Sequence, residues 1–178
     1  MKLSTRISVL CIALVALLAP VAHAIPGVSF GIMGGPNLTL PTTSSALPAG
    51  TELTGTIGYS VGPSVGIGPL ELSALYSSYG SKLTFLGISQ TSSSNYLDFP
   101  ALYRIGAGPL SVGLGGFYSI CLESGCTSDN NNYGATASVR ATVPVVGFFV
   151  DGRFNLGLKD NAGSKSSALA VLLGYDFI

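Results

Sequence analysis

Charge is scarce in this chain. Eight Lys and Arg face eight Asp and Glu among 178 residues, 9% in all, where a soluble globular domain carries about 25%. The formal net charge is zero and no basic run occurs, so neither a nucleic-acid surface nor an acidic binding tail organises the molecule. Histidine is rarer still: the single one, His23, lies near the N-terminus. Beyond residue 24 no apolar run approaches the roughly 20 residues that a membrane-crossing helix needs.

Glycine and apolar side chains are what the chain has in plenty. It holds 24 Gly and is 47% hydrophobic, with no collagen-like triplet period and too little polarity for a disordered segment. Residues 1–24 have the layout of a secretory signal peptide. Lys2 and Arg6 precede an apolar run from Val9 to Leu18, followed by Pro20 and the small-residue triplet Ala22-His23-Ala24. Cleavage before Ile25 removes Lys2, Arg6 and Cys11, leaving 25–178 as one domain with six basic and eight acidic residues. It also removes the only imidazole, which excludes His-based acid–base catalysis and His-ligated metal sites from the remainder.

That remainder alternates with a period of two. Between Thr56 and Ile67 the even positions are small or polar and the odd ones are Ile57, Tyr59, Val61, Pro63, Val65 and Ile67. The last segment sets Leu169, Val171, Leu173, Tyr175 and Phe177 against Ala170, Leu172, Gly174 and Asp176. Eight strands are predicted: Val28–Leu40, Thr54–Ile67, Leu70–Leu86, Tyr96–Ile105, Leu110–Leu122, Tyr133–Val143, Val146–Leu158 and Ser167–Ile178. In the third, Leu75, Tyr79 and Leu83 fall out of phase with Leu70, Leu72 and Tyr76, so a β-bulge near Ser77 and Ser78 is expected there. Long Ser/Thr/Asn/Gly-rich connections (Pro41–Leu53, Gly87–Asn95, Glu123–Asn132, Lys159–Ser166) alternate with short ones (Gly68-Pro69, Gly106–Pro109, Pro144-Val145). Gly68-Pro69-Leu70-Glu71-Leu72-Ser73 and Gly108-Pro109-Leu110-Ser111-Val112-Gly113 look like one hairpin device used twice.

This pattern fits an eight-stranded antiparallel up-and-down transmembrane β-barrel with short periplasmic turns and longer outer loops. In water its exterior would be left to Gly, Ser and Thr. In lipid the apolar faces point outward and ring closure satisfies every backbone donor and acceptor. The opposite face then collects an interior charge network of Glu71, Asp98, Arg104, Arg140, Asp151 and Arg153, with Asp176 near its end. Eight-stranded barrels have interiors that side chains fill, so packed, paired charges are expected; a narrow ion path or small ligand cavity is the alternative. Tyr59, Tyr76, Tyr103, Tyr118, Tyr175 and Phe177 are candidates for the aromatic belts at the membrane interfaces. For Cys121 and Cys126 an oxidising compartment favours a disulfide over a metal site. Asp129-Asn130-Asn131-Asn132 lacks the spaced ligands of a calcium loop. No metal, cofactor or catalytic residue is expected.

Several short motifs carry a family resemblance. They are Gly31-Ile32-Met33-Gly34-Gly35-Pro36-Asn37-Leu38, Tyr96-Leu97-Asp98-Phe99-Pro100, Val112-Gly113-Leu114-Gly115-Gly116, Phe149-Val150-Asp151-Gly152-Arg153-Phe154 and Gly174-Tyr175-Asp176-Phe177. Together they resemble the outer-membrane protein β-barrel domain family that includes PorT-like proteins. The resemblance implies bacterial outer-membrane integration, the lipid bilayer as partner, and insertion by the barrel-assembly machinery acting on the C-terminal strand. Such barrels commonly end on an aromatic residue, whereas here Phe177 precedes Ile178. The expected role is non-enzymatic, in the envelope or in surface contact, with the loops' partner unspecified. The competing readings are a soluble lipocalin-like barrel holding an apolar ligand, which would dissolve without detergent, and a narrow ion channel, which would conduct.

Overall fold

The computed structural model describes residues 27–43, 51–85, 88–123, 126, 130–143, 146–159 and 164–177. The expected leader, Asp129 and Ile178 lie outside the described residues. Nine β segments follow one another: β1 (Val28–Thr43), β2 (Thr51–Ile67), β3 (Leu70–Ser73), β4 (Leu75–Phe85), β5 (Ile88–Ala107), β6 (Leu110–Cys121), β7 (Asn132–Thr142), β8 (Phe148–Gly157) and β9 (Ser164–Phe177). Every pairing is antiparallel, and β1 pairs with both β2 and β9, so the sheet closes on itself. β3 and β4 are one strand of the ring, which therefore has eight. No sheet edge is left in the closed wall, which is how a barrel satisfies its backbone without a covering layer.

The interruption between β3 and β4 has a local cause. Ala74 faces Pro63 of β2 and donates to its carbonyl at 3.0 Å, but proline has no N–H to return the bond. The register on either side is unbroken: Val61 opposes Tyr76 and Ser64 opposes Ser73. The bulge expected near Ser77 and Ser78 does not lie on this strand but directly across from it. Glu71, Ser73, Leu75 and Ser77 are all buried in one continuous inward phase, and Tyr79 continues it. The irregularity lies on the partner strand, where Ile57 and Gly58 of β2 stand opposite the single residue Tyr79.

Strand ends at the loop side run past expectation, β1 to Thr43 and β9 back to Ser164 among them. Within the connection expected over Gly87–Asn95, Ile88–Asn95 is strand: β5 begins at Ile88, and its Ser/Thr run pairs with β4 all the way to Phe85 opposite Ile88. β2 likewise starts at Thr51, inside the expected Pro41–Leu53 connection. Threonine and serine sustain a ladder where neither face needs apolar residues, so polarity alone did not mark these strand ends. At the opposite end, Gly68 (φ 57°) and Gly108 (φ 61°) start two-residue Gly-Pro turns between Ile67 and Leu70 and between Ala107 and Leu110. That is the glycine-first arrangement of tight hairpins.

Alternation sorts the side chains by face. Outward positions are apolar and open, as at Ile57 (77% exposed), Leu114 (69%) and Leu173 (65%), whereas inward Asp151 and Arg153 are 0% and 1% exposed. A small inward cluster of Met33, Leu75, Phe149, Ala170 and Leu172 forms the apolar part of the interior.

Candidate functional site

The lumen has two levels, and each is assembled by the register between strands. Near the short turns, β3, β5, β7 and β8 bring five charged side chains together. Arg140 and Asp151 are direct cross-strand partners, and Arg153 projects inward two residues beyond Asp151. Arg104 faces Gly113 across the ladder; a β-carbon at Gly113 would stand 3.3 Å from the Arg104 stem, so the glycine leaves the room that stem occupies.

Asp151 is the hub. Its Oδ2 accepts from Arg104 Nη2 at 2.6 Å, Arg153 Nη2 at 2.9 Å and Arg140 Nη2 at 3.2 Å. Glu71 is the second anion. It pairs with Arg104 Nε at 2.8 Å, Arg140 Nη2 at 2.6 Å and Arg153 Nη2 at 3.0 Å. Asp176 stands 3.9 Å from Arg140 Nη1 and is more exposed than either. The five-residue core thus holds three guanidinium groups against two carboxylates. Such a cluster is tolerable in a desolvated interior only because each charge meets several partners, since an unpaired one costs several kcal/mol. The Arg140 guanidinium also lies 3.8 Å from the Phe149 ring centroid, a cation–π contact. Phe149 sits over Gly174, whose missing side chain provides its space. Met33, Leu102, Phe149 and Leu172 are at most 1% exposed, so side chains fill the lumen at this level.

Toward the loop end the interior is lined mainly by uncharged polar groups. Asn37 Nδ2 donates to Ser60 Oγ at 2.9 Å, and Ser60 and Ser77 share a 2.9 Å hydroxyl bond. Thr136 donates to Asn155 Oδ1 at 2.7 Å. Asp98 belongs to this level. It was expected within the charge network and is buried inside the barrel, but it stands apart from the five-residue cluster and accepts from the Tyr79 hydroxyl, which donates to Oδ2 at 2.6 Å. The stagger of β5 against β3 and β4 separates it from Glu71: Asp98 opposes Leu75, whereas Glu71 opposes Leu102. Above this floor lies a cavity of about 270 Å³, lined among others by Tyr79, Tyr96, Phe117, Ser119, Asn132 and Asn155.

Sequence reading overlooked Tyr79 as an interior residue, and with it the floor of the cavity. Its even spacing from Glu71 and Ser77 was the available signal. The aromatic candidates stand on the outer wall in two tiers. Tyr103, opposite Leu70, lies beside the short turns; Tyr175 does too, with its ring 5.0 Å from Phe148 and 5.3 Å from Phe177. Tyr59 and Tyr76 pair at 6.1 Å farther along, and Tyr118 lies opposite Phe99 and Tyr133. At the loop end Cys121 and Cys126 are joined in a disulfide with Cα atoms 5.9 Å apart, and Asn131 caps the segment by accepting from Cys121 N at 3.2 Å. No group of three His, Cys, Asp or Glu able to hold a metal ion occurs among the described residues.

The closed ring with an apolar exterior and a polar, charge-filled interior is the fold of small eight-stranded outer-membrane barrels. Neisserial surface protein A matches it with a TM-score of 0.57 at 17% identity, covering 84% of this chain and 98% of that one. The outer membrane protein OprG from Pseudomonas aeruginosa matches with a TM-score of 0.50 at 13% identity, covering 83% and 95%. These similarities are of fold. No protein-family model and no curated protein matches the chain.

Proposed function

We propose that this chain is a non-enzymatic integral barrel of a bacterial outer membrane, exported behind a cleaved leader (residues 1–24) and inserted by the barrel-assembly machinery through β9. The observation that carries the reading is the inversion of polarity: apolar side chains cover the outer wall while Glu71, Arg104, Arg140, Asp151 and Arg153 are enclosed. In water this arrangement exposes the apolar face and buries the charges; in hydrocarbon both placements are favourable. The two aromatic tiers match the belts that anchor such barrels. The motif resemblance to PorT-like outer-membrane barrels supports the same assignment.

The packed lower lumen favours a stabilising and surface-presenting role over conduction. Contacts with the outside would fall to the polar strand extensions at the loop end, Ile88–Asn95 above all. Absence of histidine after residue 24 supports a non-catalytic role. Membrane extraction followed by gel migration of unheated and boiled samples tests the reading. A detergent-dependent band whose mobility shifts on boiling is expected, with no conductance steps in planar bilayers. A protein that dissolves without detergent and does not shift overturns it in favour of a soluble barrel.

A further inference from the structure

The loop-end cavity has a chemistry that the closed lower lumen does not explain. We propose that it is a binding site for a small neutral polyhydroxylated molecule, a monosaccharide or the terminal sugar of a glycan. The inference depends on the barrel fold and not on membrane placement.

Three observations converge. First, none of the described residues lining the cavity carries a charge. The nearest buried anion, Asp98, already accepts the Tyr79 hydroxyl at 2.6 Å beneath it, and the ion-paired cluster lies at the other end of the lumen. A charged ligand would be desolvated here without a counter-charge, which is unfavourable. Second, the walls mix hydroxyl and amide groups of Thr39, Ser119, Asn132 and Asn155 with the rings of Tyr79 and Tyr96, whose centroids are 5.7 Å apart and tilted by 57°. Thr39 Oγ1 accepts from Gly80 N, Asn132 Nδ2 donates to the Ser166 carbonyl and Asn155 Oδ1 accepts from Thr136; a purely apolar occupant would use none of the hydrogen-bonding capacity these groups retain. A sugar ring satisfies both, its hydroxyls meeting the amides and hydroxyls and its C–H face lying on the aromatic faces. Third, a volume of about 270 Å³ lies just under the roughly 300 Å³ where small-molecule pockets begin, so one ring fits and a chain of them does not. Ser92 and Ser166, exposed on the lining, mark the side from which a ligand enters.

The test is calorimetric titration of the full folded barrel in phosphocholine micelles, since sugar-headed detergents would compete. Glucose, galactose, mannose and N-acetylglucosamine are the neutral probes, with glucuronate and glucosamine as charged counterparts. Saturable one-site binding of at least one neutral sugar is expected, weakened about tenfold or more for its charged counterpart. Tyr96→Ala should weaken it about tenfold as well, and Tyr96→Phe should retain it because the ring face remains. The boiling-induced gel shift of each variant establishes that it is folded. Binding of the free hexose alone identifies a free sugar as ligand; equal binding of a trisaccharide ending in it identifies a glycan terminus. The proposal is overturned if no neutral sugar binds saturably, if charged sugars bind as tightly, or if folded Tyr96→Ala binds like the parent.

Discussion

Replacing Asp151 with asparagine should be the most damaging single change in the barrel interior. The side chain keeps its volume, so packing is held nearly constant and charge is the variable. Asp151 Oδ2 receives three guanidinium groups at 2.6, 2.9 and 3.2 Å. Hydrogen bonds to charged groups contribute about 1.5–3 kcal/mol each. The asparagine carbonyl keeps part of this, but Glu71 then stands alone against three enclosed arginines. Breaking a buried pair on one side costs about 3–5 kcal/mol, and that is the expected loss. Arg153→Met is the informative comparison. It removes one cation from a cluster with three cations and two anions, leaving Arg104 and Arg140 against Glu71 and Asp151, and its apolar stem lies beside Met33 Sδ, now 3.7 Å from Arg153 Nη2. Its cost should stay below about 2 kcal/mol, less than that of the aspartate change. Urea titration of the refolded barrel, read by the unheated gel band, measures both. With slopes of about 1–3 kcal/mol/M, the midpoint for Asp151→Asn should fall by about 1–5 M. A midpoint unchanged by Asp151→Asn, or a larger fall for Arg153→Met, would refute the charge accounting at the centre of the lumen.

Other expectations follow from single positions. Leu114→Arg on the outer wall should cost about 2–4 kcal/mol in bilayers yet leave a water-soluble barrel unaffected, so folding yield into vesicles decides which solvent that face meets. Gly174→Ala sets a methyl group against the Phe149 ring and should cost about 1–3 kcal/mol; unfolding of the double variant with Phe149→Leu should recover most of it, and additive losses would disprove the contact. Arg153→Ala should lower the melting temperature more than Lys159→Ala, because Arg153 is enclosed and Lys159 lies past the end of β8; equal melting temperatures would contradict the inward assignment of Arg153.

Much of the architecture was legible before any coordinates. Alternation is a local property: a residue's parity within its strand determines its face, so Ser60, Asp151, Arg153 and Leu172 could be placed inside, and Ile57, Val150 and Leu173 outside, from spacing alone. Scarce charge and an apolar outer parity selected the closed barrel, and the Gly-Pro turns located two of the hairpins. Where polarity and parity conflicted, the reading failed. Tyr79 and Leu75 looked out of phase because large side chains were expected outside, whereas the interior accommodates both. Ile88–Asn95 looked like loop because strand-ness there comes from pairing with β4 and not from an apolar face. The partners of the interior charges were beyond the sequence altogether. Parity turns Asp98 and Glu71 alike toward the axis, but only the stagger between neighbouring strands sets their depth, and it is depth that gives Glu71 three arginines and Asp98 a tyrosine.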